Sequence, residues 1–241
     1  MTAQSDTRPT ILLTRPEAAS RRCAAEIAAR FGEDLPVLIA PLMEIVALPA
    51  EIPPAREVIF TSQNAVAPFV ARSPAAGRRA YCVGGKTAAA ARRAGFETLE
   101  GQGDARGLLP LIRAQHRGGG LVHARGEEVA VPLADLLNSA EIETKEVVVY
   151  RQQACALEPA IRAQLARAGL VVAPLFSPRS ADRLVQELGD WRGRIWVAAI
   201  SATVAERAGP LRPERLEVAE RPDLRGVLEA LTRLIGPAKA G

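Results

Sequence analysis

Phe60-Thr-Ser-Gln-Asn-Ala-Val66 returns later in the chain as Phe176-Ser-Pro-Arg-Ser-Ala181. Two further blocks do the same. Tyr81-Cys-Val-Gly-Gly-Lys-Thr-Ala88 is matched by Ala198-Ala-Ile-Ser-Ala-Thr-Val-Ala205, and Gly103-Asp-Ala-Arg-Gly-Leu-Leu-Pro-Leu-Ile112 by Pro222-Asp-Leu-Arg-Gly-Val-Leu-Glu-Ala-Leu231. All three recur in the same order at offsets near 115–119. Chance likeness in one block is easy, but collinearity of three is not, so the chain holds two similar lobes.

Local signals around the blocks set the fold class. Thr10–Thr14 is an apolar strand, and Pro16 then opens a helix that runs over 18–31 and stops at Gly32. Val58–Thr61 is the next strand, with Ser62 placed to cap a helix over 64–70. Ala80–Val83 is followed by Gly84-Gly85, an alanine-rich helix over 87–94 and Gly95 as its terminator. Asp104 is placed to cap a helix over 108–115, and Gly118–Gly120 break the chain before Leu121-Val-His123. Strands alternating with helices imply an α/β protein with parallel sheets covered on both faces.

Two β-rich stretches interrupt the alternation, Val37–Leu48 and Glu141–Gln152. They are read as paired β connectors, spanning 37–49 and 141–153. The N-terminal βα unit precedes the first of them, so it is expected to complete the C-terminal repeat. One discontinuous lobe then spans 1–36 with 154–241, and the other spans 50–140.

Composition narrows the function classes. The 241 residues are 48% hydrophobic, 24% charged and only 4% aromatic. That apolar content excludes a disordered chain. No apolar run approaches the roughly 18 residues of a membrane span. Met1–Asp6 shows no secretory leader, so a cytoplasmic protein is expected. Net charge is +4, and all but three of the 31 basic residues are arginine. Arginine forks suit carboxylate and phosphate. Nucleic acid is a poor partner, because stacking aromatics are scarce and no long basic run occurs. Cys23, Cys82 and Cys155, with His116 and His123, lack metal-site spacing, so no metal is expected.

In open α/β sheets, ligands bind beyond the C-terminal ends of the strands. The repeat puts short hydroxyl- and glycine-rich loops there: Thr14-Arg15, Thr61–Asn64, Gly84–Thr87, Ser177–Ser180 and Ser201–Thr203. Each precedes a helix, whose first N–H groups and dipole favour anions. A serine or threonine in such a loop also serves as an N-cap, and the two roles are compatible. Two such lobes facing one another would make a cleft rich in anion-binding groups. Other motifs are absent. Gly84-Gly85-Lys86-Thr87 lacks the upstream glycine of a P-loop, since residue 80 is Ala. Gly-x-Gly-x-x-Gly and Gly-x-Ser-x-Gly do not occur. His123, at a strand end before Ala124-Arg125-Gly126, is read as structural.

Taken as a set, Leu13-Thr-Arg-Pro16, Pro41-Leu42 with Ile45, Phe60–Val66, Val83–Ala88, Arg125-Gly126, Val148-Val-Tyr150, Phe176–Ser180 and Ala199–Thr203 resemble the uroporphyrinogen-III synthase family, over residues 11–234. The resemblance implies two flavodoxin-like lobes joined by a two-stranded β connector. It implies closure of hydroxymethylbilane, an octacarboxylate linear tetrapyrrole, to uroporphyrinogen III, with loss of water and inversion of the last pyrrole ring. This is a step of tetrapyrrole biosynthesis. No cofactor is implied. The substrate's carboxylates suit the loop amides and arginines. One motif departs: where the family often has Gly-x-Thr-Thr, this chain has Ser201-Ala-Thr203-Val204, which moves one hydroxyl.

The resemblance points to Tyr150 as the catalytic acid for the departing hydroxyl. The substrate-binding set is Thr14, Arg15, Ser62, Gln63, Asn64, Gly84, Lys86, Thr87, Arg125, Ser177, Arg179, Ser180, Ser201 and Thr203. A monomer is expected, with no membrane contact and at most transient contact with neighbouring pathway enzymes. Two other classes compete. A non-catalytic sensor of the same fold should carry an effector segment, and this chain has almost nothing outside the repeats. A phosphosugar or nucleotide enzyme should place carboxylates in the loops, where hydroxyls and arginines stand instead.

Overall fold

The computed structural model describes residues 8–129 and 131–236, so the reading of Met1–Asp6 lies outside the described residues. The chain divides into two units. Unit 1 takes everything up to Glu44 together with everything from Ala154 onward, and unit 2 is Ile45–Gln153.

Unit 1 is built on a five-stranded parallel sheet. Its strands are β1 (Thr10–Leu13), β2 (Val37–Ile39), β9 (Val171–Leu175), β10 (Ile195–Ala199) and β11 (Arg215–Val218), in the spatial order β11-β10-β9-β1-β2. The pairing of Thr10 with Val171 joins the N-terminal βα unit to the C-terminal repeat, as the repeat required. β1 and β9 are apolar runs buried on both faces, as central parallel strands must be. Helices α1 (Glu17–Phe31) and α9 (Leu224–Ile235) cover one face through Cys23, Ile27, Val227 and Leu231. Helices α6 (Pro159–Arg167), α7 (Pro178–Leu188) and α8 (Ala202–Ala208) cover the other, through Leu165, Leu184 and Val204.

Unit 2 carries a six-stranded sheet of β3 (Met43–Ala47), β4 (Glu57–Phe60), β5 (Arg79–Cys82), β6 (Glu97–Glu100), β7 (Leu121–Gly126) and β8 (Thr144–Ala154), in the order β3-β8-β7-β4-β5-β6. Helices α2 (Val66–Val70) and α3 (Gly85–Arg93) close one face, over a cluster of Phe60, Phe69 and Phe96 rings. Helices α4 (Leu108–Gln115) and α5 (Leu133–Asn138) close the other with Leu108, Ile112, Leu133 and Leu137.

The repeat aligns β4, β5 and β6 with β9, β10 and β11. β7 and β8 then occupy the places that β1 and β2 hold in unit 1. The two sheets thus share one spatial plan, but the chain enters it at different points. Counted along the chain, unit 1 reads 2-1-3-4-5, the flavodoxin-like order, whereas the five parallel strands of unit 2 read 3-2-1-4-5.

The paired connectors are present but shorter than the two β-rich runs: β3 pairs with β8, and the division between the units falls inside both strands. Of Val37–Leu48, only Met43–Ala47 is the connector strand paired with β8; Val37–Ile39 is instead the edge strand of unit 1, with Val37 opposite Ile11. Glu141–Gln152 is part sheet and part connector, since β8 pairs with β7 on one side and with β3 on the other. Glu141 sits in a turn at φ 61, and from Thr144 to Tyr150 the segment pairs in parallel with β7. The expected lobe bounds, 1–36 with 154–241 and 50–140, therefore leave out strands that the sheets include. A β-rich run looks the same whether it bridges or completes a sheet, because the deciding bonds go to strands distant in sequence. A smaller correction concerns Asp104, which accepts from the Gly107 N–H but is not the N-cap of α4; Gly107 holds that place.

Candidate functional site

Both sheets reverse their winding direction at one pair of strands, β1/β9 in unit 1 and β4/β7 in unit 2. At such a switch point the loops beyond the strand ends splay apart and leave room for a ligand. Thr14, Arg15 and Ser177–Ser180 flank the first and Ser62–Asn64 and Arg125 the second, while Ser201–Thr203 follow β10 and Gly84–Thr87 follow β5, one strand further out.

In unit 1 the switch point is flanked by Thr14-Arg15 after β1 and by Phe176-Ser177 after β9. The Arg15 guanidinium lies 4.2 Å from the centroid of the Phe176 ring. Burial pulls the Arg15 pKa down, but no carboxylate is paired with it among the described residues. It is therefore a cation held in place by stacking and available to an anion. Thr14 is buried, and its hydroxyl finds no partner among the described residues. The serines are more committed. Ser177 accepts from the Ser180 N–H, and Ser180 accepts from the Ser177 N–H while donating to the Ser177 carbonyl. That capping box spends the Ser180 hydroxyl entirely. Ser201 caps α8 by accepting from the Val204 N–H. Arg179 and Thr203 are exposed in the first turns of α7 and α8.

In unit 2, Ser62 accepts from the Asn64 N–H and begins the 3-10 turn Gln63–Ala65 that leads into α2. α3 is different, because Gly84 is its N-cap and no side chain caps it. The Gly85, Lys86 and Thr87 N–H groups thus lack both an intrahelical and a side-chain partner. Lys86 adds an exposed charge there, while the buried Thr87 hydroxyl makes no hydrogen bond among the described residues. The Glu100 carboxylate already stands at this helix start: a Cβ on Gly85 would lie 2.9 Å from its oxygen.

Tyr150 lies opposite Gly126, where a bulge shifts the β7/β8 register. The glycine is required by the ring, since a Cβ on Gly126 would lie 2.7 Å from the Tyr150 Cζ and 2.9 Å from its hydroxyl oxygen. Tyr150 is 7% exposed, and its hydroxyl makes no hydrogen bond to the described residues. A held ring with an uncommitted hydroxyl is what a proton donor needs.

Sequence reasoning missed how neighbours engage Arg125. Its Nε donates to Glu146 at 2.8 Å, and Nη1 donates to the Gly126 and Glu127 carbonyls. Those bonds hold the end of β7. His123 is also engaged, by Glu146 and Thr61. No local signal marked Glu146, which looked like any charged residue in a β-rich run. Cys23 and Cys82 are buried, and burial pushes their thiols up to about 11 and about 12. Among the described residues no three His, Cys, Asp or Glu side chains converge as metal ligands would.

None of the curated proteins matches significantly. Among solved structures, a uroporphyrinogen-III synthetase from Helicobacter pylori superposes with a TM-score of 0.63 at 18% identity, covering 94% of this chain and 99% of that one. A mutant uroporphyrinogen III synthase from the extremely thermophilic bacterium Thermus thermophilus matches at 16% identity and TM-score 0.44, over 93% of this chain and 98% of the other. The first likeness shows the shared two-sheet fold. A family model described as "Uroporphyrinogen-III synthase HemD" matches residues 24–229. With that match spanning most of the chain, and with the strand-end loops arranged as above, the chain belongs to the uroporphyrinogen-III synthase family.

Proposed function

We propose that Arg15 and the amides at the start of α3 hold the carboxylates of hydroxymethylbilane, and that Tyr150 protonates its departing hydroxyl. The activity itself is the family's: cyclisation of hydroxymethylbilane to uroporphyrinogen III in tetrapyrrole biosynthesis. The observation that carries the assignment of roles is the Tyr150 ring seated on Gly126 with its hydroxyl unspent.

The chemistry follows from the substrate. The nitrogen lone pair of the terminal pyrrole pushes electrons toward the hydroxymethyl carbon, the C–O bond breaks, and Tyr150 delivers the proton that lets the oxygen leave as water. An azafulvene cation results. The substituted α-carbon of the last ring attacks it, and that ring inverts through a spiro intermediate before the macrocycle closes. The substrate is already reactive, so ordering the chain matters most. Good alignment supplies roughly 7–11 kcal/mol. A general acid adds about 10²- to 10⁴-fold.

The assay that tests the function supplies hydroxymethylbilane and separates isomers I and III. Spontaneous closure yields isomer I, so an excess of isomer III is expected. Product with the spontaneous isomer pattern would defeat the reading. No described helix is long and apolar enough to cross a membrane. A cytoplasmic monomer that binds no nucleic acid and meets neighbouring pathway enzymes only transiently completes the proposal.

Two expectations follow for the binding loops. Affinity is spread over many amides, so Ser62→Ala and Thr87→Ala should each lower kcat/KM less than about tenfold, near one hydrogen bond's worth of roughly 1 kcal/mol. Abolished turnover in a folded Thr87→Ala protein would instead reveal a dedicated side-chain catalyst. Product affinity should also weaken as ionic strength rises past about 0.15 M, where charges are screened over about 8 Å. A salt titration of product binding that stays flat would remove Arg15 from the binding set.

A further inference from the structure

The loops described above offer mostly donors. They suit the substrate's carboxylates, whereas its pyrrole N–H groups call for acceptors. Unit 2 contains a device that supplies one. Thr61, half-buried at the C-terminal end of β4, places its Oγ1 3.1 Å from Nε2 of His123 on β7. Nδ1 of the same ring lies 3.3 Å from the Glu146 Oε1 on β8. The other Glu146 oxygen accepts from Arg125 Nε at 2.8 Å. The chain of contacts therefore runs across the switch point of the unit 2 sheet.

The direction of each bond can be assigned. Glu146, ion-paired with Arg125, faces the ring as a carboxylate and can only accept. The proton on His123 is therefore on Nδ1. His123 is 1% exposed, and burial pushes its imidazole below the ordinary histidine range, so the ring is neutral with a single N–H. Nε2 is left bare and accepts the Thr61 hydroxyl proton. Once that proton is directed inward, the Thr61 oxygen has only lone pairs to offer a ligand. A second-sphere partner fixing a tautomer in this way is familiar from other histidine sites.

We propose that Thr61 is the acceptor for a substrate pyrrole N–H, made so by the Glu146–His123 relay. Thr61 touches the substrate, and His123 and Glu146 are positioning residues. This rests on the synthase reading and deepens it.

Three measurements test the relay. In long-range 15N–1H correlation spectra, the two histidine rings are told apart by loss of one signal in His123→Gln. His123 should appear as the neutral Nδ1–H tautomer near neutral pH, and an Nε2–H ring would overturn the proposal without touching the synthase reading. In kinetics, Thr61→Val should lower kcat/KM about ten- to a hundredfold, carried by KM, and Thr61→Ser should restore it. Glu146→Gln can donate to Nδ1 and reverse the ring. It should cost a similar factor in the wild-type background and add nothing to Thr61→Val. An equal loss in both backgrounds would mean a merely structural Glu146 and overturn the proposal. Wild-type protein giving no excess of isomer III would overturn the synthase reading and this proposal together. Active wild type with unimpaired Thr61→Val would overturn this proposal alone.

Discussion

Arg79→Met is expected to destabilise unit 2 by about 3–5 kcal/mol, the cost of breaking a buried ion pair by removing one partner. Glu57, at the start of β4, has a side chain 6% exposed, and that of Arg79, at the start of β5, is 7% exposed. Their register makes them direct neighbours across the sheet. The Glu57 carboxylate accepts from Arg79 at 3.4 Å, from the Tyr81 hydroxyl at 3.2 Å and from His116 Nδ1. Arg79 also donates to the Gln115 carbonyl at 3.2 Å and to Glu97 at 3.1 Å. Burial and the Glu57 charge push the Tyr81 phenol up to about 12, so it stays a donor at any working pH. Deleting Arg79 keeps the carboxylate buried and removes its cation. Thermal unfolding followed by circular dichroism should show a fall in Tm of roughly 10 °C or more. The double variant Glu57→Gln/Arg79→Met should recover part of the loss, because it removes both charges together. An unchanged Tm in Arg79→Met would mean that desolvation cancels the whole network. This cluster stands at the N-terminal ends of the strands, away from the candidate site, so wild-type kcat is expected in whatever fraction remains folded.

Tyr150→Phe should lower the rate of uroporphyrinogen III formation by about ten- to a thousandfold, within the general-acid range. The substitution removes one hydroxyl and keeps the ring on Gly126. Because that hydroxyl makes no bond to the described residues, Tm should barely move. Some turnover should persist, since the pyrrole nitrogen still expels the leaving group. Isomer III should remain the main enzymatic product, because the order of ring closure is set by how the bound chain is folded. Wild-type turnover in this variant would return Tyr150 to a packing role. A large loss of stability would make its hydroxyl structural. Gly126→Ala is the companion experiment. It keeps the phenol but drives a methyl into the ring, and it should lose activity to a comparable degree.

Much of this molecule is written in short-range chemistry. Pro16 at the N-cap of α1, Gly32 at φ 91 beyond its end, Gly95 at φ 98 after α3, and the side-chain caps at Ser62, Ser177 and Ser201 all act within a few residues of themselves. They could be placed from the chain alone, and so could the repeat, because it is a likeness of sequence to sequence. Tyr150 and the strand-end loops were legible through family resemblance, and the loops also through the general rule for parallel sheets. What only the tertiary structure decided depends on partners far apart along the chain. Val37–Ile39 became a sheet strand because Ile11 lies beside it, not because of anything in its own composition. The partners of Arg125, Glu146 and two carbonyls, are likewise a matter of the fold. His123 was read as structural, yet it sits between Thr61 and Glu146, 62 and 23 residues away. A charge or a hydroxyl in a sequence has no direction. The strand register gives it one, by choosing which lone pair or proton its side chain must face.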